Sequence, residues 1–387
     1  MGVVIVEAVR TVSGRGRSTG AWAETHAVDL LAGVLQELVS RTGVDAIEID
    51  DVIAGCVTQG GEQAGNVSRS AVLSAGFPER IPGTTVDRQC GSSQQAVHFA
   101  AQAIASGAQD VVVACGVEMM SRTPMFSQYM GHDPYGPAVG RRYAPGLIQQ
   151  GLAAELLARK YSFTRQELDE YAAESHRRAA DTWAAGGFDR EVTSTTGSAR
   201  DETLRPGSTA DALAQLPAVF EDASAEKRFG AIDWKITAGN SSPLTDGASA
   251  VMLMSDEACE RLGIRGRARI RALSVVGDDP LLMLNAVVPA TWDALRRAGL
   301  KPGDVDSFEV NEAFAPVPLL WARELGVDLD RVNPRGGAIA LGHPLGASGT
   351  RLLTTLLHEL EDAEKRIGLQ TMCEAGGMAN ATIIERL

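Results

Sequence analysis

The chain has few cysteines and no closely paired ones. Five occur in 387 residues: Cys56, Cys90, Cys115, Cys259 and Cys373. An odd count at wide spacing is not a disulfide framework. Without a C-x-x-C pair, no metal site and no redox motif is expected. No run of about 18 apolar residues occurs, so no membrane insertion is expected. Positive charge is also short: 36 Lys+Arg against 49 Asp+Glu gives −13. That balance argues against non-specific binding to nucleic acid or an anionic membrane. A phosphate-cradling G-x-x-x-x-G-K is absent. The start, Gly2 to Glu7, reads as a strand rather than a signal peptide, and Val6 stands where myristoylation needs Ser or Thr. The end, Glu385-Arg386-Leu387, is not a peroxisomal address. A cytoplasmic location is the expectation.

What is present is glycine (41 residues) and an internal repeat. Leu38–Val52 and Leu295–Phe308 both read as a helix ending at glycine (Gly43, Gly299), then an aspartate (Asp50, Asp306), then a buried-type strand, at an offset of 256. Asp110–Gly116 resembles Gly368–Glu374 at an offset of 258, which makes Cys115 the counterpart of Cys373. Amphipathic helices alternate with short β-branched runs in both halves, so a duplicated α/β protein is predicted. The halves would be 1–119 plus 242–265, and 266–387. Between them, 120–241 reads as a large insertion with a helical segment at Leu152–Trp183 and a polar run at Asp189–Asp211. Its bases, Arg141, Arg142, Arg159, Lys160, Arg177, Arg178, Lys227 and Arg228, suit a polyanionic ligand. The interleaved carboxylates Glu155, Glu167, Asp169, Glu170 and Glu174 equally suit a solvated helix face.

Four segments carry chemistry. In Asp87-Arg88-Gln89-Cys90-Gly91-Ser92-Ser93 a strand meets a helix start, where unpaired N–H groups favour a thiolate. A cysteine there also serves as a small buried residue. Gly336–Gly349 places His343 in a glycine-rich loop, without the G-x-G-x-x-G dinucleotide spacing. His98, His176 and His358 fall in helices and read as structural or surface residues; His26 and His132 belong to no constellation. Asn311-Glu312-Ala313-Phe314 and Cys373-Glu374-Ala375-Gly376-Gly377 each follow a strand. Two related halves would bring these element ends to one crevice.

Together these segments resemble the thiolase family, the acyl-CoA acetyltransferases that cleave or form 3-oxoacyl-CoA, over nearly the whole chain. The resemblance implies a duplicated α-β-α-β-α five-layer fold with an inserted loop domain, at 120–241, that covers coenzyme A. It implies an acyltransferase of lipid metabolism and fatty acid β-oxidation that uses CoA as substrate without a bound cofactor. A homodimer or homotetramer is implied as well. Cys90 would be the nucleophile, His343 its base, and Cys373 the acid–base partner on the substrate carbanion. Carbon–carbon cleavage would leave acetyl-Cys90 and a shortened acyl-CoA carbanion. One oxyanion hole would use His343 with a water on Asn311, the other the N–H groups of Cys90 and Ala375. Ala238 and Ser242 match a CoA-contacting stretch, Met283 a pocket methionine, and Ala313 and Phe314 the pantetheine tunnel.

Several residues depart from the family pattern. Ala375 and Ala379 replace common glycines, and alanine does not readily hold a positive φ. Gln149 stands where short-chain relatives carry a loop histidine. Leu284-Asn285-Ala286-Val287 replaces Gly-Thr-Gly-Pro, Pro243 replaces a glycine, and Leu216 stands at an adenine-contacting arginine. An acyl group bulkier than acetoacetyl is expected. A 3-oxoacyl carrier-protein synthase would place a histidine near 311 and no cysteine near 373. A non-catalytic acyl-CoA binding protein is the other alternative. Cys56, Cys115 and Cys259 are expected to pack structurally.

Overall fold

The computed structural model describes residues 2–193 and 198–387; part of the polar run, 194–197, lies outside the described residues. The strands are β1 (Val3–Arg10), β2 (Gly14–Arg15), β3 (Asp51–Gly55), β4 (Gly83–Val86), β5 (Val111–Met119), β6 (Thr245–Ser255), β7 (Ala268–Gly277), β8 (Ser307–Val310), β9 (Ile367–Glu374) and β10 (Met378–Arg386). Among the described residues, the helices of ten or more residues are α1 (Ala27–Thr42), α2 (Ser92–Ala105), α3 (Gln150–Lys160), α4 (Arg165–Ala184), α5 (Val287–Ala298), α6 (Pro316–Leu325) and α7 (Ser348–Asp362).

The strand order is β4-β3-β5-β6-β1-β7-β10-β9-β8. Within it β3-β5-β6-β1 and β8-β9-β10-β7 are the same arrangement written twice. In each, the first pair is parallel and the remaining pairs are antiparallel. Among the described residues, the two sets pair through Val4↔Arg269 and Ile5↔Ala268, with Arg267 N–H donating to Ile5 O beside them. Apolar residues of α1 pack one face of the first sheet, and those of α5 and α6 pack the second. Between the sheets lie α2 and α7, whose Ala96, Val97, Leu353 and Leu357 share one core with Ile5, Val112 and Ile384. The result is a layered α-β-α-β-α arrangement.

The repeat keeps a single offset. Gly43 and Gly299 end α1 and α5 in the left-handed conformation, which glycine enters at no steric cost. Asp50 accepts the N–H groups of Asp110 and Val111, and Asp306 accepts those of Arg366 and Ile367, again 256 residues on. The pairings Asp51↔Val112 and Ser307↔Gly368 carry that offset into β5 and β9. The expected offset of 258 is thereby corrected: the repeat counterpart of Cys373 is Val117, not Cys115, and that of Glu374 is Glu118. Matching cysteine to cysteine was a coincidence of identity that strand register overrides.

The helical segment expected at Leu152–Trp183 is two helices, α3 and α4. They are separated by Tyr161–Thr164, where Thr164 starts α4 with a capping box to Glu167. Carried in sequence by the first half, these helices pack their Ala153, Leu157, Leu168 and Ala172 against the core of the second. Among the described residues no helix is long and apolar enough to cross a membrane.

A close backbone approach joins the halves. A Cβ on Gly346 would lie 2.7 Å from Gly55 O, Cys56 Cα and Val117 O. Gly346→Ala should therefore cost about 1–3 kcal/mol through overpacking, read as a lower urea midpoint. Gly303→Ala, with nothing within 4 Å of its Cβ position, should leave the midpoint unchanged. Equal midpoints for both variants would refute the close-packed junction.

Candidate active site

Cys90 sits between β4 and α2. The turn is held by Asp87, which accepts the Gln89 N–H at 2.7 Å, and by Ser92 Oγ, which accepts from Arg88 N–H and donates to Gln89 O at 2.6 Å. Gln89 takes φ 49°, an uncommon value for a non-glycine residue. The turn is tight because Gly91 follows: its Cβ position is 1.9 Å from Glu374 Oε1 and 2.4 Å from Asn380 Oδ1. Cys90 is only 3% exposed. Burial pushes its thiol up to about 12; Gln150 and the residue's own N–H pull down, while the negative charges of Glu374 and Glu118 push up. Burial thus outweighs the helix-start effect expected from sequence, and the thiolate needs a base and donors.

His343 is likewise buried, at 4% exposure, and its network defines its tautomer. Ser348 Oγ donates its single proton to Pro344 O at 2.9 Å, so at 2.6 Å from His343 Nδ1 it accepts. Nδ1 carries the hydrogen and Nε2 is left as the acceptor. Asn311 Nδ2 lies 3.4 Å from that Nε2. Burial, and then the charge of Arg351, push His343 down to about 3, so its imidazole is neutral near pH 7. The loop that carries it is anchored by Glu118. This carboxylate accepts the N–H of Gly346 at 2.9 Å, those of Val57 and Thr58 at 3.0 Å each, and Gln63 Nε2 at 2.9 Å. Asn311 has a similar anchor next door. Glu312 accepts from Tyr171, Ser175, Asn333 Nδ2 and the Ile339 N–H, binding the end of β8 to α4 and to the short turn Ala338–Leu341.

Cys373 ends near the same place from β9. Burial raises its thiol well above the usual range, followed by the charge of Cys90 and then that of Glu374. Met378↔Glu374 closes a turn over 375–377, and the left-handed residues there are Gly376 and Gly377. Ala375 is not among the positive-φ residues, so the alanine causes no strain. Ala379 is strand, opposite Cys373.

A cavity of about 490 Å³ opens onto this chemistry, lined among others by His343, Gln150, Ala238, Ser242, Ala313 and Phe314. Gln150 Nε2 reaches the Cys90 sulfur at 3.9 Å. Met283 does not line the cavity. It is buried in the cluster that contains Cys373 and two lining residues, Ala313 and Phe314. Leu216 packs against that cluster. Gln149 is exposed and faces a separate cleft, so the residue of this segment that reaches the nucleophile is Gln150. Four of the bases expected to offer a polyanion site are engaged otherwise. Arg177 and Arg178 pair with Glu174, and Arg159 and Arg228 donate to carbonyls. The cations at the cavity are instead Arg15, Arg17 and Arg205. His98, His176 and His358 are all buried, not surface residues. His26 caps α1. Cys56 and Cys115 are buried in the first-half core, and Cys259 packs against it.

Sequence reasoning missed Ser348, Gln150, Glu118 and the three arginines. Ser348 stands five residues after His343 in the motif, but only the intervening turn Leu345–Ala347 makes the two meet.

Comparisons with known proteins agree along the whole chain. Residues 3–257 match the family described as "Thiolase, N-terminal domain", and 264–386 match "Thiolase, C-terminal domain". The steroid 3-ketoacyl-CoA thiolase of Mycobacterium tuberculosis is 45% identical, over 99% of this chain and 94% of its own. A 3-ketoacyl-CoA thiolase of Serratia proteamaculans is 44% identical, over 100% and 99%. The crystal structure of a Bacillus anthracis acetyl-CoA acetyltransferase superposes with a TM-score of 0.88 at 36% identity, covering 100% of this chain and 99% of that one. The chain belongs to the thiolase family.

Proposed function

We propose that this thiolase is an acyltransferase that exchanges an acyl group between 3-oxoacyl-CoA and CoA through Cys90. The observation that carries the reading is the convergence of Cys90, a neutral His343 whose Nε2 is left as an acceptor, Asn311 and Cys373. In the thiolysis direction His343 Nε2 takes the Cys90 proton, and the thiolate adds to C3 of the substrate. The C3 oxyanion is met by preorganised donors, the Cys90 and Ala375 N–H groups or the His343–Asn311 pair with a water. Collapse breaks the C2–C3 bond, and Cys373 donates its proton to C2. Because attack is at C3, the acyl tail stays on Cys90 and acetyl-CoA leaves. This corrects the products expected above, which coincide with these only for the four-carbon substrate. A second CoA thiol then takes the acyl group, its proton passing to the histidine. Cleavage of the C2–C3 bond creates the Cys90 thioester, and the CoA step then exchanges that thioester for another with little free-energy change.

The pantetheine arm fits the cavity along Ala238, Ser242, Ala313 and Phe314, with the CoA phosphates beside Arg15, Arg17 and Arg205. Asn311 and Cys373 disfavour the carrier-protein synthase reading, and the presence of all four catalytic groups disfavours a non-catalytic binding protein. The steroid thiolase among the relatives supports an acyl group bulkier than acetoacetyl. We place the reaction in cytoplasmic β-oxidation and the protein as a homodimer or homotetramer, by analogy with the family.

Thiolysis across a series of 3-oxoacyl-CoA esters tests the reading. Cys90→Ala and Cys373→Ala should each abolish turnover, and the four-carbon ester should not be the fastest substrate. Full activity in either variant would sink the mechanism. Ser348→Ala, which removes one hydrogen bond of about 0.5–1.5 kcal/mol from the histidine, should lower kcat by up to about tenfold. The pH profile follows from the sign of the His343 shift. A depressed value means the base is lost only near pH 3, not near the 6.5 of a free imidazole. Acylation of Cys90 by a 3-oxoacyl-pantetheine, which lacks the CoA phosphates, should show no acid limb between pH 5 and 7 (about the range a free imidazole titrates). A limb centred near 6.5 would contradict a buried neutral base.

A further inference from the structure

Among the described residues, no cation is one of the charges that act on the Cys90 thiol; Arg88, two residues before it, acts on Glu374 instead. The groups that face it are Cys373 and Glu374 of β9, Glu118 of β5, Gln150 of α3, and Leu345 of the His343 loop. The two carboxylates disfavour a thiolate, and His343 is neutral before it takes the thiol proton. Thiolate stabilisation therefore falls to neutral hydrogen-bond donors. One is the residue's own N–H, which also belongs to a proposed oxyanion hole. The other is the Gln150 amide, with Nε2 3.9 Å from Sγ.

The placement of Gln150 is built. It is the first residue of α3, whose Leu157 and Ala153 are buried in the second-half core. Glu155, one turn on, accepts the N–H groups of Lys235 and Ile236 at 2.7–3.0 Å and pins the helix to the returning chain. The segment before it is held by Arg228, which donates to Tyr143 O and Gly146 O. The side chain lines the same cavity as His343, Phe314 and Ser242. It is not a loop side chain resting on the site by chance.

We propose that Gln150 is a catalytic residue: its amide N–H donates to the Cys90 sulfur, stabilises the thiolate, and so makes the nucleophile depend on the inserted segment. This rests on the reading of Cys90 as the nucleophile. In the thiol state the contact is long and weak. Negative charge on sulfur strengthens and shortens it, as for any hydrogen bond to an ionised acceptor. After acylation the sulfur is a poor acceptor, and the amide is released toward the acyl group. The donor thus acts on the charged state and adds little to the resting enzyme, as transition-state stabilisation requires.

The test reads the thiol directly and needs no substrate. The full-length protein is treated with iodoacetamide from about pH 6 to 11, the rising limb below a thiol pushed up to about 12. Labelling is measured at the Cys90 peptide by mass spectrometry, because Cys259 is also partly accessible. Wild type is compared with Gln150→Met, which is apolar and of similar length, and with Gln150→Glu, isosteric but acidic. The expected result is a rising limb displaced upward by about one pH unit in Gln150→Met, equivalent to tenfold slower labelling at each pH, and displaced further in Gln150→Glu. Changed access would spare the isosteric Gln150→Glu, whereas loss of the donor slows it. Acylation by 3-oxoacyl-CoA should slow about tenfold in Gln150→Met, with KM for CoA in the second half-reaction unchanged. If Gln150→Met does not fold, as judged by its thermal transition, Gln150→Glu carries the test alone. Labelling rates equal to wild type in the folded variants would overturn the proposal. Failure of the thiolase reading would look different: the expected slowing of labelling in the variants with no acyl transfer by wild type.

Discussion

The candidate site depends on one buried carboxylate. Glu118 stands at the end of a first-half strand and accepts N–H groups from its own half, at Val57 and Thr58, and from the other, at Gly346. The loop so captured carries His343. It can come this close because Gly55, Gly116 and Gly346 meet where any side chain would collide with backbone. Hydrogen bonding and the absence of Cβ atoms act together, since neither the donor geometry nor the approach survives alone. Glu312 repeats the device for Asn311 with four different donors.

Burial then sets the chemistry. It raises both thiols and depresses the imidazole, so the resting site is neutral and its charges appear only as the reaction proceeds. Such a site cannot rely on a standing thiolate–imidazolium pair. It depends on a defined tautomer, which Ser348 provides, and on donors aimed at atoms that become negative. The apparent conflict between a cysteine at a helix start and a raised thiol is resolved by magnitude. The helix-end effect is about 1 kcal/mol or less at exposed ends, whereas full burial shifts a titration by several units.

Much of this was legible in the chain. Glycine-ended helices and the aspartates at 50 and 306 announced the duplication, because the left-handed cap and the paired N–H groups each demand a particular residue. Cys90, His343, Asn311 and Cys373 stood out for the same kind of reason: reactive side chains at element ends among glycines. The misplacements are instructive. The second repeat was aligned on a shared cysteine and fell two residues out, because identity in a strand says less than register. Gln149 matches the family's loop histidine by position, but a helix start turns adjacent residues about 100° apart, and only the packing of α3 decides that Gln150 faces the nucleophile. Charge alone does not sort the bases of the insertion: Arg159, Arg177, Arg178 and Arg228 find carbonyls or carboxylates within the fold. Arg15, Arg17 and Arg205 are far apart in sequence and share a cavity only after folding.

The repeat that places Glu374 opposite Glu118 also shows how unequal the halves have become. Glu118 gathers four donors, whereas the carboxyl of Glu374 accepts none among the described groups and presses against Gly91 instead. Each half supplies part of a reaction centre that neither holds alone: the nucleophile from the first, the asparagine, histidine and second cysteine from the second. Joined in one chain, the two parts meet at an effective concentration set by the short link between β6 and β7, not by the abundance of the protein in solution. Covalent fusion of the halves makes assembly of the centre independent of dilution.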